Sequence, residues 1–514
     1  MLKNLRVVIS VLLFSTITLY FLDFVGFLPS WLNFITEIQF IPALLALNLV
    51  VLAGLLLLTF VFGRIYCSSI CPFGIYQDVV SWFSKKATKR KRYTYSKAKN
   101  ILRWSVVVTT LVGFVFGFTF LLGLLDPYGA YGRIVTHIFK PAYMAGNNLL
   151  DIIFSSFGNH TFYRVAIYGL GVFSILIALS TTMIVGYMAW KNGRTYCNTI
   201  CPVGTILGFI SKYSLYKVRF TESTCNSCGL CAMKCKASCI DTKNLHIDYS
   251  RCVTCFNCIE VCNRSAMSYS IANPLKRNKT KDYKPETTTK DKTVDDSKRR
   301  FLSAFLTTGL ATGTLLAQES IPLIPKKELK RQTPIAPPGA LNFDRFREKC
   351  ISCHLCVSKC PSHVIKPAFL DYGFGGIMQP KLYFDHGFCN YDCTVCSDVC
   401  PTDALTKLTM EQKHHTQMGQ VQLIIENCIV YYDETSCGAC SEHCPTQAVR
   451  MVPYKDTLTI PEITPEICVG CGGCEYVCPA IPFKAIYVEG LSAHNTIELE
   501  KEEQEEIVID GFGF

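Results

Sequence analysis

Six runs of four cysteines constrain this chain more than any other feature. They begin at Cys225, Cys252, Cys350, Cys389, Cys428 and Cys468, and most follow the spacing C-x2-C-x2-C-x3-C. That spacing wraps three thiolates of one tight loop around a cubane iron–sulfur cluster and sends the fourth to a neighbouring cluster. The six runs use 24 of the 29 cysteines, four more lie in a repeated motif, and Cys239 is left over. A disulfide framework is the other home for so many cysteines, but it favours small secreted chains and irregular spacings. In a chain of 514 residues, regular groups of four imply metal, so six [4Fe-4S] clusters are expected. The chemistry implied is electron transfer.

The remaining composition places this chemistry at a membrane. Apolar runs concentrate in the first 190 residues, and four stretches approach the ~20 apolar residues a spanning helix needs. They are Val7–Leu28, Ile41–Gly63, Val106–Leu125 and Val165–Trp190. The formal net charge of +11 suggests nucleic acid, but its distribution argues for no nucleic-acid partner. Nine basic residues and no acidic ones lie between Lys85 and Arg103, directly between two apolar stretches. Cytoplasmic loops carry such an excess, so that loop and the N-terminus are expected inside a bacterial inner membrane. The expected architecture is an α-helical membrane bundle of four spans, a fifth signal-anchor-like span, and two α+β ferredoxin-like iron–sulfur domains.

Boundaries follow from composition. Residues 1–212 form the four-span domain and 213–275 a cytoplasmic two-cluster domain. A polar linker at 276–300 leads into SerLysArgArgPheLeuSer (297–303), and the segment 301–317 resembles a twin-arginine export signal retained as an anchor. A connector (318–340), a four-cluster domain (341–490) and an acidic tail (491–514) follow. A folded, cluster-bearing cargo needs an export route that carries folded proteins, which places 341–490 on the periplasmic side.

Cross-ligation assigns one cytoplasmic cluster to Cys225, Cys228, Cys231 and Cys262, and the other to Cys252, Cys255, Cys258 and Cys235. Cys239 reads as a buried spare thiol. The outer ligands are Cys350, Cys353, Cys356 and Cys360; Cys389, Cys393, Cys396 and Cys400; Cys428, Cys437, Cys440 and Cys444; and Cys468, Cys471, Cys474 and Cys478. Spacing allows neighbouring runs to pair, or the first with the last. Cys350-x2-Cys353-His354 also matches a c-type haem site, but its continuation into Cys356 and Cys360 favours a cluster.

An internal repeat adds a further site. GRIYCSSICPFG at Gly63–Gly74 recurs as GRTYCNTICPVG at Gly193–Gly204. The repeat is expected to bring Cys67, Cys71, Cys197 and Cys201 together at one depth, as an additional metal or cluster, a thiol relay, or simply packed thiols. Asp23 is the one carboxylate within a predicted span; with Asp126, His137 and His160 it is a candidate proton acceptor for quinol. No soluble-substrate pocket is legible.

Residues 1–270 resemble the membrane subunit of the quinol-oxidising module that feeds periplasmic nitrate reductases, with its two C-x3-C-P motifs. Residues 297–490 resemble that module's exported four-cluster ferredoxin, including the eight-residue gap after Cys428. The membrane half is also similar to regulator-like proteins of nitrous oxide reduction and to copper-oxidase assembly proteins. The resemblance implies a quinol dehydrogenase component embedded in lipid, drawing on the quinol pool and reducing a periplasmic reductase or cytochrome. It also implies pairing of the first outer run with the last. Electron donation to metal-cofactor assembly and redox sensing are the competing functions.

Overall fold

The computed structural model describes residues 2–23, 26–88, 93–167, 171–221, 223–271 and 331–498. The polar linker, the twin-arginine-like segment and the end of the acidic tail lie outside the described residues.

Eight principal helices build the first 212 residues: α1 (Leu2–Leu22), α2 (Leu49–Phe62), α3 (Pro72–Ala87), α4 (Asn100–Val115), α5 (Pro127–Ile134), α6 (Lys140–Ser156), α7 (Val172–Asn192) and α8 (Pro202–Ser211). Two of the four stretches expected to span are not continuous helices. Among the described residues, only α1 and α7, 21 residues each, are long and apolar enough to cross a bilayer. Stretch 41–63 divides into a short helix, Phe40–Leu45, and α2, with Leu47 left-handed between them. The Asn48 side chain then accepts from Val51 N–H at 3.2 Å, capping α2. Stretch 106–125 breaks at Gly117, where a φ of +79° ends α4 before the short helix Thr119–Leu125. An apolar count does not register these local caps.

The long helices are largely exposed. Only 28% of the most apolar window of α1 is buried, and 22% of that of α7. Val8, Val11 and Leu12 of α1 and Leu176, Met183 and Ile184 of α7 are exposed.

The two cluster-bearing regions attach at opposite ends of α1, which at 21 residues is about 30 Å long. At its start, Lys3 pairs with Glu260. At its end, the Phe21 carbonyl accepts from Ser358 Oγ at 2.5 Å, and Lys359 Nζ lies 2.7 Å from Asp23 just beyond. The two-cluster region is closed by β1 (Tyr216–Phe220) against β2 (Met267–Ile271), antiparallel, with Tyr216 opposite Ile271. It packs onto α2, where Tyr269 Oη donates to the Phe62 carbonyl at 2.9 Å.

The four-cluster region contains three antiparallel pairs. β3 (Ile365–Pro367) pairs with β4 (Pro380–Leu382), and β6 (Val449–Pro453) with β7 (Thr459–Ile463). β5 (Thr416–Leu423) pairs with β8 (Ile486–Thr496), which is irregular between Gly490 and Asn495. The strand thus runs six residues past the boundary expected at 490. Its core mixes Ile335, Phe346, Met418 and Val488 with Cys360, Cys428 and Cys474. Cysteine sulfur thus shares that core with hydrocarbon.

Candidate iron–sulfur centres

Four of the six cysteine runs share one loop shape. The second and fourth residues after the first cysteine both have positive φ: Ser227 and Gly229, Thr254 and Phe256, Ser352 and His354, Gly470 and Gly472. Left-handed backbone is uncommon outside glycine and persists where the surroundings enforce it. Here it curls the chain so that successive cysteines face one space. The third residue after the fourth cysteine is also left-handed at Ser238, Ser265, His363, Asp403 and Gln447. The runs at Cys389 and Cys428 lack the first two features, because three and eight residues separate their first cysteines.

The thiols line discrete cavities. Cys428, Cys437 and Cys440 line one small cavity with Cys478. Cys468, Cys471 and Cys474 line a second with Cys444, and Cys389, Cys393 and Cys396 a third with Cys360. Cys400 lies close enough to Cys350, Cys353 and Cys356 to affect each electrostatically. Neighbouring runs therefore pair, which corrects the first-with-last expectation. The reason is reach: three residues separate the third and fourth cysteines, so a single helical turn carries the fourth thiol only to the adjacent loop.

In the two-cluster region Cys235, Cys252, Cys255 and Cys258 line one small cavity, the set expected from cross-ligation. Cys239 is on the same wall, its Sγ 3.5 Å from Cys235 Sγ. Cys231 is influenced by Cys228 and Cys225, and Cys262 lies outside the cavity of the second run.

These sites fit clusters chemically. Burial pushes the Cys360 thiol up to about 11 and those of Cys471 and Cys440 to about 12, so at neutral pH a metal must displace their protons. Among the described residues no three His, Cys, Asp or Glu side chains converge around a single ion. Four thiols around one space, spread too widely to close on a single ion, suit a multi-iron group.

The repeat brings its four cysteines into one buried cluster, each 4% exposed. The two copies clasp each other. Arg64 Nη2 donates to the Cys197 carbonyl at 3.1 Å and lies 3.7 Å from Cys67 Sγ, while Arg194 donates to the Cys67 carbonyl. Gln77 Nε2 lies 3.1 Å from Cys197 Sγ. Asp78 binds Arg194 at 2.8 Å and Arg6 and Lys236 at 3.3 Å. Arg64 bonds Asn198 Oδ1 (2.9 Å) and the Ser250 carbonyl (3.0 Å), and among the described residues no carboxylate pairs with it. An arginine in the second position of both copies was the sequence signal for this clasp.

The four quinol candidates do not share a fate. Asp23 is spent on structure: it accepts from the backbone of Gly26, Phe27 and Leu28 and from Lys359. His160 is exposed. Asp126 and His137 are buried, at 1% and 4% exposure, beneath the loop of the third run. Asp126 caps α5 by accepting from Gly129 N–H at 2.6 Å, and burial raises its carboxyl to about 6. His137, in the π-turn Val135–Phe139, lies 2.6 Å from His354, whose Nε2 lies 2.8 Å from the Met378 carbonyl. Burial, with the Arg133 charge behind it, lowers His137 to about 4. Arg133 itself donates to the Ser352 carbonyl at 3.1 Å. His354, the histidine of the haem-like string, is one of several contacts between the two halves.

A family model described as "4Fe-4S binding domain" matches residues 44–91 and 170–221, the segments holding Cys67, Cys71, Cys197 and Cys201. A second, described as "4Fe-4S dicluster domain", matches 349–404 and 435–480, in line with pairing between neighbouring runs. The protein is an iron–sulfur electron-transfer protein. It is related to ferredoxin-type protein NapF of Escherichia coli, at 27% identity over 32% of this chain and 90% of that protein. Ferredoxin-type protein NapG of the same organism is 29% identical over 28% of this chain and 65% of its own length. The methylamine utilization ferredoxin-type protein MauM of Methylobacillus flagellatus is 27% identical over 36% of this chain and 81% of its own. No solved structure matches.

Proposed function

We propose that the protein is a membrane-bound quinol dehydrogenase component that passes electrons from the quinol pool to a periplasmic reductase or cytochrome. One observation carries this reading: a 21-residue apolar helix, largely exposed along its length, holds one cluster-bearing region at its start and another at its end. The basic segment supplies the orientation. Arg103 donates to Ser250 Oγ at 2.9 Å and Tyr93 N–H to the Met233 carbonyl at 3.2 Å, so the lysine- and arginine-rich loop sits with the two-cluster region. By the positive-inside rule that end is cytoplasmic and the four-cluster region is periplasmic.

Six [4Fe-4S] clusters, when bound, supply one-electron chemistry with potentials tuned by their surroundings. The chain's own residues fix the order of those sites and shield most of their thiols, Cys228 being exposed. Quinol gives up protons as well as electrons; Asp126, beneath the nearest outer cysteine run, is the group to take them, while His137, lowered to about 4, stays neutral at neutral pH. A carboxyl with a pKa near 6 serves as a proton acceptor near neutral pH. Cys67, Cys71, Cys197 and Cys201 hold a further thiolate-bound metal or cluster. Its negative charge is the partner that buried Arg64 needs, since an uncompensated buried charge is strongly destabilising.

Reporter fusions after Asn278 and after Phe514 test the topology: opposite sides of the membrane are expected, and the same side rejects the proposal. Reduction of the clusters in anaerobic membranes by a menaquinol analogue tests the substrate. Reduction by a soluble cytoplasmic donor alone favours the assembly-donor alternative. Iron and sulfide content tests the repeat site, because a Cys67→Ser, Cys197→Ser double variant should lose metal without loss from the other six sites.

A further inference from the structure

The largest space among the cavities described is not a cluster site. It holds about 360 Å³ and lies where the end of α7, the segment before α4 and the two-cluster region meet. Small-molecule sites begin at about this size. Its walls carry six cationic side chains, Lys97, Lys99, Lys191, Arg194, Lys236 and Arg251, and no carboxylate. Asp78 binds Arg194 and Lys236, and Asp248 binds Arg251, but neither lines the cavity, so Lys99 and Lys191 meet no carboxylate on its walls. Gathering so much like charge is unfavourable unless an anion joins it.

Two buried groups reinforce this. Arg194 and Arg251 are 1% and 4% exposed, and each has an Nη2 without a hydrogen-bond partner. Each guanidinium lines the cavity, and its charge adds to the attraction for a phosphate. Hydroxyls of Thr94, Ser96 and Ser238 add neutral donors, and Leu102 and Met188 give one side an apolar surface. Ala237 lines both this cavity and the one holding Cys235, Cys252, Cys255 and Cys258. A ligand here sits one residue from the second cytoplasmic cluster site.

We propose that this cavity binds a phosphate-bearing anion in contact with Arg194, Arg251, Lys99 and Lys191. Two sources present that chemistry, an anionic phospholipid headgroup and a soluble phosphate-bearing redox cofactor, and both reach the inner end of α7. The site gives the two-cluster region either a lipid-set anchor or a point of electron exchange. It stands independently of quinol oxidation.

Native mass spectrometry of the delipidated full chain tests it, with phosphatidylglycerol and flavin mononucleotide as separate probes. Binding of either probe, weakened at least tenfold by the surface double variant K99Q/K191Q, is the expected result, and the probe that binds identifies the source. Binding of neither probe, or equal binding by wild type and variant, overturns the proposal. Lysine acylation of the wild-type protein supplies a readout that needs no variant. A bound probe should protect Lys99 and Lys191 but not the distant Lys407; equal labelling with and without probe overturns the proposal as well.

Discussion

The two copies of the membrane repeat are alike in backbone and unlike in charge. Gly63 and Gly193 have φ of +73° and +74°, Tyr66 and Tyr196 are both buried, and each arginine reaches across to the other copy's cysteine carbonyl. At Gly74 and Gly204 a side chain would overlap the carbonyl of Cys67 or Cys197, so both copies need the same close approach. They part company 15 residues in, where Asp78 of the first copy corresponds to Gly208 of the second. Asp78 neutralises Arg194. At Gly208 the absent side chain leaves room for the Ser250 carbonyl, which accepts from Arg64 and Arg103 (3.0 and 3.2 Å). Duplication made a symmetric thiol site, and one substitution turned half of it into a seat for the two-cluster region.

The strongest way to break this comparison is Asp78→Leu. Arg6, Arg194 and Lys236 then lose their shared carboxylate, with an expected loss of about 3–5 kcal/mol in denaturant or thermal unfolding. Next is Gly208→Ala, expected to cost about 1–3 kcal/mol by overpacking against Ser250. Its signature is selective: weaker cluster signals from the two-cluster region, with those of the four-cluster region intact. Gly74→Ala and Gly204→Ala should be matched, each within the same ~1–3 kcal/mol range, and a clear inequality would break the symmetry claimed for the repeat. Asn198→Asp is smaller, and its sign is decisive. Beside neutral thiols a carboxylate would stabilise Arg64 by ~1 kcal/mol or more through a charge-assisted bond. Beside an anionic centre it should destabilise, which is the outcome expected.

The smallest effect concerns two buried carboxyls outside the long helices. Arg194 and Lys236 hold Asp78 well below the usual carboxylate range against the cost of its burial, so its stabilisation is present at neutral pH and lost on acidification. Asp126 is the opposite case: burial raises it to about 6, so what it contributes is complete below about 3.9 and is lost as pH rises through 6. An infrared band of a protonated carboxyl should be present at pH 5, gone by pH 7.5, and absent at both in Asp126→Asn.

Much of the metal chemistry was legible because ligand spacing is local. Cys252, Cys255, Cys258 and Cys235 were assigned from spacing and share a cavity. The outer pairing was misjudged, because which loop receives Cys360 depends on how two runs lie side by side. Leu47 and Gly117 break two apolar stretches that a hydropathy count passes over. Phe256 and His354 are left-handed, a state that side-chain type gives no reason to expect. Asp23 has the composition of a membrane proton site and the geometry of an interface ion pair with Lys359.

By itself the order of residues determined the cysteine groups, the duplicated motif and the apolar helices, since each depends on neighbours within a few positions. Folding in three dimensions decided which fourth thiol joins which loop, where Arg64 and Asp78 spend their charge, and how six cations come to face one cavity. Those outcomes depend on contacts between segments tens to hundreds of residues apart. No short-range pattern encodes such distances, because they are set only when the segments pack.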